Sequence, residues 1–287
     1  MIKINNEFPP ILIYQMGKVG SSTIRTSLAK AKISNPIVYV HYLSWSSINS
    51  VEKFFLDKPD HQIPPHIQFS KIVRQMIDKY MGQIRFKVIS LVRDPVARDI
   101  SSTFQNIKLG LPHIVHVDKK EAVNDILEYL LNEFHKFDEN TDEVCTWFDK
   151  EIRDVLKFDV FSVQFNTVEG YQIYSTKYSD LLIIRLEDLT RCYKKAFYEF
   201  LGISNFSLVY DNKGTKKWYA DLYLGDLDQA IRYLKMAYNH DPFDKKIINN
   251  IGRMLNHVGL KDDAINIYVK YLQRYPDDID IQKLIVR

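Results

Sequence analysis

A segment close to the N-terminus brings together glycines, a lysine and hydroxyl side chains, which are groups that proteins use to hold phosphate-type anions. An apolar run precedes this segment, and apolar residues at helical spacing follow it. Where a strand leads through such a loop into a helix, backbone amides and the positive end of the helix dipole converge on one point. We therefore predict an anion site formed by Gly17, Lys18, Val19, Gly20, Ser21, Ser22 and Thr23.

The residues of this loop also suggest two other interpretations, a serine-capped turn and an ATPase-type phosphate loop. A strand-to-helix turn capped by serines uses the same residue types and binds no ligand, and the sequence leaves this interpretation open. ATPase loops follow GxxxxGK[ST], with the lysine directly before the hydroxyl residue. Here Lys18 comes two positions before Gly20. Magnesium-dependent nucleoside triphosphate chemistry is therefore disfavoured.

A second segment carries an arginine that is followed eight residues later by a serine. Arg93 comes directly after an apolar run, and Ser101 lies on a helix that we expect to begin at Pro95. Such a helix would hold both side chains on one side of the site. The alternatives are a surface turn with an exposed serine, or a metal ligand at Asp94, for which the sequence offers no further support.

An α/β fold is predicted to position these residues. Short apolar runs rich in β-branched residues alternate with helical patterns up to about residue 205, as in a parallel sheet with crossover helices. We therefore predict a catalytic domain over residues 1–210 with a parallel central sheet flanked by helices. The predicted strands are 11–14, 37–41, 86–92 and 181–186, and the predicted helices lie around 46–57, 67–81, 119–136 and 142–156.

The last quarter of the chain repeats itself with a period of 34 residues. This period is typical of tetratricopeptide repeats, in which glycine lies at the turn between helices, alanine at the helix contact and proline at the stop. We predict two such repeats with a capping helix in a small all-α module, residues 211–287. Two repeats are few for a free-standing array, so we expect this module to assist docking of a protein partner or self-association. The recurring pairs are Gly225 and Gly259, Ala230 and Ala264, and Pro242 and Pro276.

The order Lys-x-Gly-[Ser/Thr]-[Ser/Thr] in residues 18–22 resembles the 5'-phosphosulfate loop of sulfotransferases. These enzymes use 3'-phosphoadenosine-5'-phosphosulfate (PAPS) as sulfuryl donor. Arg93 and Ser101 resemble the family's 3'-phosphate motif, and the RDPxxR form resembles its glycosaminoglycan branch. The resemblance covers roughly residues 10–218 and implies a P-loop sulfotransferase fold. It also implies PAPS as co-substrate, adenosine 3',5'-bisphosphate as product, no metal, and a glycan or related hydroxyl as acceptor.

Two later segments extend this resemblance. Lys213 and Gly214 resemble the Lys-Gly loop that folds over the donor's 3'-phosphate, although a basic linker into the first repeat would look similar. Residues 183–204 resemble a segment whose role in the family is structural, which implies salt-bridge or capping roles for Arg185, Glu187 and Asp188. Thr23 departs from the tryptophan that many cytosolic members use to stack on adenine.

A looser resemblance points to bacterial proteins assigned to capsular polysaccharide synthesis. It rests on the Lys-Trp-Tyr stretch at residues 217–219 and on WFDKEI at residues 147–152. This resemblance favours a polysaccharide as the acceptor of the sulfuryl group.

The resemblance implies two catalytic side chains. Lys18 would offset the negative charge that develops on the leaving bridging oxygen. A hydroxyl acceptor also needs a base, and His41 is the first choice because it ends a strand that should neighbour the loop strand. It also resembles the histidine of uronyl-type sulfotransferases. A lone histidine in a strand is more often structural, so His66, His61 and Glu52 stay as alternatives.

Composition limits the other classes of function. The 39 Lys and Arg residues against 36 Asp and Glu give a charge of +3, too small to predict nucleic-acid or membrane binding. Cys145 and Cys192 lack metal-type spacing, and no stretch is long and apolar enough to span a membrane. We therefore expect a cytoplasmic enzyme. An ATP-dependent P-loop phosphotransferase and a non-catalytic nucleotide-fold protein that presents repeats to a partner remain the competing hypotheses.

Overall fold

The computed structural model describes residues 7–57, 61–95, 97–98, 101–102, 105, 143–209, 243–245, 248–249, 251–252, 256 and 261–285. The chain divides into two compact units: Met1–Asp99 with Asp138–Asn212, and Ile100–Phe137 with Lys213–Arg287. The domain boundary that we predicted between residues 210 and 211 lies outside the described residues and stays a prediction.

The first unit is built on a five-stranded sheet with the order β2-β1-β3-β5-β4. All neighbouring pairs are parallel except β4 and β5, which are antiparallel. Strands β1, β3 and β5 consist mostly of buried residues, as expected of parallel strands that are covered on both faces. The predicted α/β class is therefore confirmed. The strands are β1 (Ile11–Tyr14), β2 (Ile37–Val40), β3 (Phe86–Val92), β4 (Tyr171–Ser175) and β5 (Ser179–Arg185).

Helices of the first unit begin and end at residues with clear local causes. Ser44 caps α2, because its Oγ accepts a hydrogen bond from the Ser47 amide at 3.2 Å. Proline at the first position starts α3, and Gly202 in the left-handed conformation ends α6. The helices are α1 (Ser21–Lys30), α2 (Trp45–Leu56), α3 (Pro65–Tyr80), α4 (Glu143–Trp147), a π-helix (Phe148–Arg153), α5 (Asp154–Leu156), α6 (Leu189–Leu201), and the 3₁₀ turns Val160–Ser162 and Leu186–Asp188.

The core of the first unit lies on both faces of the sheet. Leu12 of β1, Val88 of β3 and Leu181 of β5 are fully buried within it. Trp147 and Phe197 bring the helices after β3 and β5 into the same cluster. The register places Ile13 beside both Tyr39 and Ile89, so the carboxyl ends of β1, β2 and β3 meet at one edge of the sheet. Ligands of open α/β sheets bind at that edge.

The second unit contains α7 (Lys261–Leu272) and α8 (Ile279–Ile285), which pack together with their own small core. Ala264, predicted to lie at a helix contact, is fully buried there. Gly252 lies against the Tyr268 ring, since a Cβ built on Gly252 would come within 2.1 Å of ring atom Cζ. Helix α8 lies where we predicted a capping helix. The first predicted repeat, including Gly225, Ala230 and Pro242, lies outside the described residues, so the tetratricopeptide assignment stays a prediction.

Within the described ranges, no helix has both the length and the apolar character needed to cross a membrane.

Candidate functional site

In the loop between β1 and α1, the sign of the backbone dihedral angle φ alternates from residue to residue. Lys18 has φ 69° and Gly20 has φ 93°, whereas Gly17 and Val19 have negative φ. Alternation of this kind turns successive amide N–H groups to one side and forms an anion-binding concavity known as a nest. A lysine rarely adopts the left-handed conformation, so the surrounding contacts must hold it there. This backbone geometry is suited to an anion at the start of α1.

The two loop glycines differ in what a side chain would meet. A Cβ built on Gly20 would lie 2.7 Å from Leu186 Cδ1, and the left-handed φ adds strain for any other residue. Around Gly17, nothing lies within 4 Å of the added carbon. The space beside Gly17 is therefore open, whereas the space beside Gly20 is filled by protein.

This difference separates stability from binding in a pair of variants. We expect Gly20→Ala to lower the free energy of unfolding by about 1–3 kcal/mol because of backbone strain and the Leu186 contact. We expect Gly17→Ala to unfold at the wild-type denaturant concentration but to weaken binding of adenosine 3',5'-bisphosphate, because its methyl group enters the concavity. Urea unfolding and calorimetric titration measure the two effects. Wild-type affinity in Gly17→Ala would mean that the nucleotide does not approach this part of the loop.

Two arginines from the segment after β3 hold the carbonyl side of the loop. Arg93 Nη1 donates to the Lys18 carbonyl at 3.1 Å, and Arg98 Nε donates to the Gly17 carbonyl at 3.3 Å. The carbonyl and the amide of a trans peptide point in opposite directions. These contacts therefore turn the amides of Lys18 and Val19 away from the guanidinium groups. The sequence analysis gave Arg98 no role, although the RDPxxR pattern contains it.

The remaining letters of the RDPxxR pattern start the helix that follows β3. Asp94 Oδ1 accepts from the Ala97 amide at 2.9 Å, which makes Asp94 the cap of a helix that begins at Pro95 as predicted. Glu187 Oε1 accepts from the Asp94 amide at 2.9 Å and ties this corner to the end of β5. The described contact of the Asp94 carboxylate is thus a helix cap, which is a structural role. Across the ranges described, no group of His, Cys, Asp and Glu side chains could hold a metal ion.

His41 directly follows β2, and both of its ring nitrogens lie within hydrogen-bond distance of a partner. Nδ1 is 2.7 Å from the Gln15 carbonyl oxygen, and Nε2 is 2.6 Å from the Tyr39 hydroxyl. The Tyr39 hydroxyl is in turn 2.9 Å from Ser21 Oγ. His41 therefore reaches the loop through Tyr39, a residue that the sequence analysis missed. Its spacing was a usable signal, because residues i and i+2 of a strand face the same side.

The other candidate bases make contacts away from the loop. Glu52 of α2 pairs with Lys71 of α3 at 2.5 Å. His61 Nδ1 contacts the carbonyl oxygen of Leu56, at the end of α2. His66 is an exposed residue in the first turn of α3. His41 is thus the candidate that the described contacts join to the loop, and its role as general base stays a prediction.

A buried carboxylate fixes the segment that follows His41. Glu151, in the π-helix, is fully buried and accepts hydrogen bonds from the Leu43 amide at 2.7 Å and the Ser44 amide at 2.9 Å. Its oxygens also accept from Ser44 Oγ at 2.8 Å and from the Tyr14 hydroxyl at 2.5 Å. Burial, reinforced by the Glu151 charge, raises the pKa of Tyr14 well above its usual value, so its hydroxyl stays protonated and donates.

Trp147 of α4 completes the support of the histidine. Its Nε1 donates to the His41 carbonyl at 3.2 Å, and its ring packs edge-on against Tyr14 with a centroid separation of 5.1 Å. The segment WFDKEI, which resembles polysaccharide-synthesis proteins, therefore forms hydrogen bonds with the residues that directly follow β2. Three of its contacts reach backbone atoms of His41, Leu43 and Ser44, so the segment holds the chain in place after β2.

The contacts after β5 agree with the structural roles expected for Arg185, Glu187 and Asp188. Asp188 pairs with Arg185 and, at 2.9 Å, with Arg191. The hydrogen bond from Arg185 and then that from Arg191 outweigh burial and lower the pKa of Asp188. A Cβ on Gly170, which has a left-handed φ of 77°, would clash with Asp188. This cluster fixes the turn that carries Glu187 to the Asp94 amide.

The structure brings together most of the predicted site residues. Gly17, Lys18, Val19, Gly20 and Ser21 lie in the loop and at the start of α1, with Arg93 and His41 in contact as described. Ser22 and Thr23 are half-buried in the first turn of α1. Ser101 is helical and half-buried, and it belongs to the second compact unit. Lys213 and Gly214 lie outside the described residues.

A comparison with protein families gives a match over the middle of the chain. A family model with the description "Putative capsular polysaccharide synthesis protein" matches residues 118–257. The chain is similar to a polysaccharide-related family over this range. The match includes the π-helix with Glu151, whereas the loop and Arg93 precede it. No curated protein and no solved structure matches the chain.

The match confirms the looser of the two predicted resemblances in a coarse form. WFDKEI at residues 147–152 and the Lys-Trp-Tyr stretch at residues 217–219 both lie within the matched range. The sulfotransferase and tetratricopeptide assignments receive no support from these comparisons and stay predictions.

Proposed function

We propose that the protein is a PAPS-dependent sulfotransferase that acts on a hydroxyl group of a polysaccharide. The observation that carries this proposal is the two-sided arrangement of the loop. Its amides face one way because Lys18 and Gly20 are left-handed, and Arg93 holds the opposite, carbonyl side at 3.1 Å. Two anionic groups of one nucleotide can then be bound at separate places, a 5'-phosphosulfate by the amides and a 3'-phosphate by the guanidinium.

Sulfuryl transfer resembles phosphoryl transfer, in which positioning and charge stabilisation supply most of the catalysis. The acceptor oxygen attacks sulfur in line with the bridging oxygen, which leaves with the 5'-phosphate. Lys18 offsets the charge that develops on this bridging oxygen, and the amides of residues 18–21 hold the phosphate. Arg93 binds the 3'-phosphate. No step of this scheme needs a metal ion.

The acceptor class rests on the family match. Residues 118–257 are similar to a family described as "Putative capsular polysaccharide synthesis protein", and a polysaccharide would offer glycan hydroxyls as acceptors. Deprotonation of such a hydroxyl needs a base near the sulfuryl group. His41 fits this role by its place at the carboxyl end of β2, next to the loop strand. Its present contacts with Gln15 and Tyr39 would then have to exchange during turnover or carry the proton onward.

Calorimetry with two nucleotides tests the proposal. Adenosine 3',5'-bisphosphate should bind without magnesium. Arg93→Ala should weaken its binding by about tenfold to a hundredfold, the range expected for hydrogen bonds to a charged group. Adenosine 5'-monophosphate, which lacks the 3'-phosphate, should lose less affinity in Arg93→Ala than the bisphosphate does, because only the support of the Lys18 carbonyl is then removed. Arg85→Ala is the matched control. Arg85 pairs with Asp180 at 2.7 Å at the amino ends of β3 and β5, whereas Arg93 follows the carboxyl end of β3.

The same titrations separate the competing functions. Equal losses for both nucleotides would mean that Arg93 supports the loop and does not read the 3'-phosphate. Magnesium-dependent binding of ATP without binding of the bisphosphate would point to a phosphotransferase. Mass spectrometry of polysaccharide fragments incubated with PAPS then tests transfer directly, since each transferred group adds one sulfate to the product.

A further inference from the structure

A chain of three hydrogen bonds links β1, β2 and α1 beside the phosphate loop. It runs from the Gln15 carbonyl to His41 Nδ1 at 2.7 Å, and from His41 Nε2 to the Tyr39 hydroxyl at 2.6 Å. The last link joins the Tyr39 hydroxyl to Ser21 Oγ at 2.9 Å. Ser21 is the first residue of α1, so this chain ends where the loop amides converge.

The Gln15 carbonyl fixes the direction of the first link, and the protonation state of His41 sets the direction of the other two. A carbonyl oxygen only accepts, so His41 Nδ1 must carry a hydrogen. In the neutral imidazole, Nε2 is then the acceptor and takes the Tyr39 hydroxyl hydrogen. The Tyr39 oxygen has no second hydrogen to give, so Ser21 donates its own hydrogen to Tyr39. Neutral His41 therefore leaves Ser21 facing the loop with lone pairs, which repel an anion.

Protonation of His41 reverses the His41–Tyr39 and Tyr39–Ser21 hydrogen bonds. The imidazolium donates from Nε2 to the Tyr39 oxygen, and Tyr39 then donates to Ser21 Oγ. The Ser21 hydrogen is released from Tyr39 and can be given to a phosphate or sulfate oxygen. No covalent bond other than the new N–H at Nε2 is formed, and the proton comes from solvent.

We propose that Tyr39 is a positioning residue that sets the direction of the Ser21 hydroxyl, so that anion binding at the loop is accompanied by uptake of one proton on His41. This inference rests on the proposed function to the extent that it takes the loop as the site of the donor's 5'-phosphate. It adds to that function a residue and a proton that the sulfotransferase motifs do not specify. An imidazolium cannot accept a proton, so His41 must release this proton before it can act as the predicted general base.

The charged groups packed around the chain favour this coupling. The Arg25 guanidinium of α1 lies 5.6 Å from the centre of the Tyr39 ring. This positive charge beside the chain disfavours an imidazolium at His41 until an anion arrives to offset it. On the other side, the Glu151 carboxylate binds the Leu43 amide, and the Tyr42 ring lies 6.4 Å from the imidazole.

The Tyr39 hydroxyl can donate to either His41 or Ser21 because it stays protonated. Burial raises the pKa of Tyr39, more than the Ser21 hydrogen bond and the Arg25 charge lower it. The phenol is therefore neutral at physiological pH and always has one hydrogen to donate. A phenylalanine at this position would keep the ring and interrupt the chain.

The test compares proton uptake by wild type and Tyr39→Phe. Titration of adenosine 3',5'-bisphosphate in buffers of different ionisation enthalpy gives the number of protons taken up on binding. Wild type should take up as much as one proton more than Tyr39→Phe, whose Ser21 hydroxyl is always released. The ratio of the two affinities should change by as much as about tenfold per pH unit, the value for one coupled proton. Changes in the nucleotide's own charge cancel in this ratio.

Two further measurements cover the cases in which the first comparison fails. Ser21→Ala removes the other end of the chain and should lose the same proton uptake if Tyr39→Phe does not fold. Inorganic sulfate replaces the nucleotide if the bisphosphate does not bind, an outcome that would reject the proposed function but not the coupling. Equal proton uptake by wild type and both variants, or failure of wild type to bind either anion, would overturn the inference.

Discussion

Replacement of Lys18 with alanine is expected to lower sulfuryl transfer from PAPS by about 100- to 1,000-fold. This is the usual loss when one group that stabilises transition-state charge is removed from an enzyme. The ammonium group would act on the bridging oxygen, whose negative charge develops only as the bond to sulfur breaks. The rate constant for transfer should therefore fall more than the affinity for adenosine 3',5'-bisphosphate. Single-turnover assays with PAPS, together with calorimetry, measure the two quantities.

The backbone at position 18 makes alanine a fair substitution. Lys18 already has a left-handed φ of 69°, and alanine retains the Cβ that causes the strain at such an angle. The backbone strain is therefore the same in both proteins, and their free energies of unfolding should differ by no more than about 1 kcal/mol, which urea unfolding measures. Lys18→Arg is the second variant, because it restores the charge with a different geometry. Lys30→Ala, at the exposed last residue of α1, is the matched control.

A normal transfer rate in Lys18→Ala would remove the lysine from the catalytic scheme and leave the loop as a binding element only. A parallel loss of transfer and of nucleotide affinity would instead assign Lys18 to ground-state binding. Partial recovery in Lys18→Arg would support charge as the contribution of this side chain.

Replacement of Glu151 with alanine is expected to lower the free energy of unfolding by about 4 kcal/mol or more. The carboxylate accepts hydrogen bonds from the Tyr14 hydroxyl, two amides and the Ser44 hydroxyl. Each buried donor that loses its partner costs about 1–3 kcal/mol, and the cavity left by the side chain adds to this. Urea unfolding followed by circular dichroism measures the loss.

Two control variants isolate the cause of this loss. Tyr14→Phe removes one donor together with its hydrogen bond and leaves Glu151 with three others, so it should cost about 1 kcal/mol. Glu169→Ala removes an exposed carboxylate that pairs with Lys195 at 2.8 Å, and it should cost less than about 1 kcal/mol. A similar small loss in Glu151→Ala would mean that the buried donors find other partners when the carboxylate is absent.

The predicted elements of the first unit were accurate where the sequence pattern is local. The runs at 11–14 and 86–92 are strands with the predicted bounds, and the helix after β3 begins at Pro95 as predicted. Alternation of apolar runs and helical patterns was enough for the α/β class. The second strand ends at Val40, one residue earlier than predicted, so His41 lies just beyond it.

The residues of the candidate site were predictable from the sequence, whereas the contacts between them were not. Residue types and spacing were sufficient to single out the loop at 15–23, Arg93 and His41, because each stands next to a strand end in the sequence. The contacts that relate them were not predictable from spacing. Arg93 and Lys18 are 75 positions apart in the chain, and the hydrogen bond between them depends on β1 and β3 being neighbours.

The sequence by itself determined four of the five strands of the described sheet, the glycine-rich turn and the capped helix after β3, because those features depend on residues within a few positions of one another. The tertiary structure alone decided that Arg98 holds a loop carbonyl, that Tyr39 stands between His41 and Ser21, and that Glu151 anchors the end of β2. Each of these roles depends on strand order and helix placement, which bring together side chains that no local pattern connects.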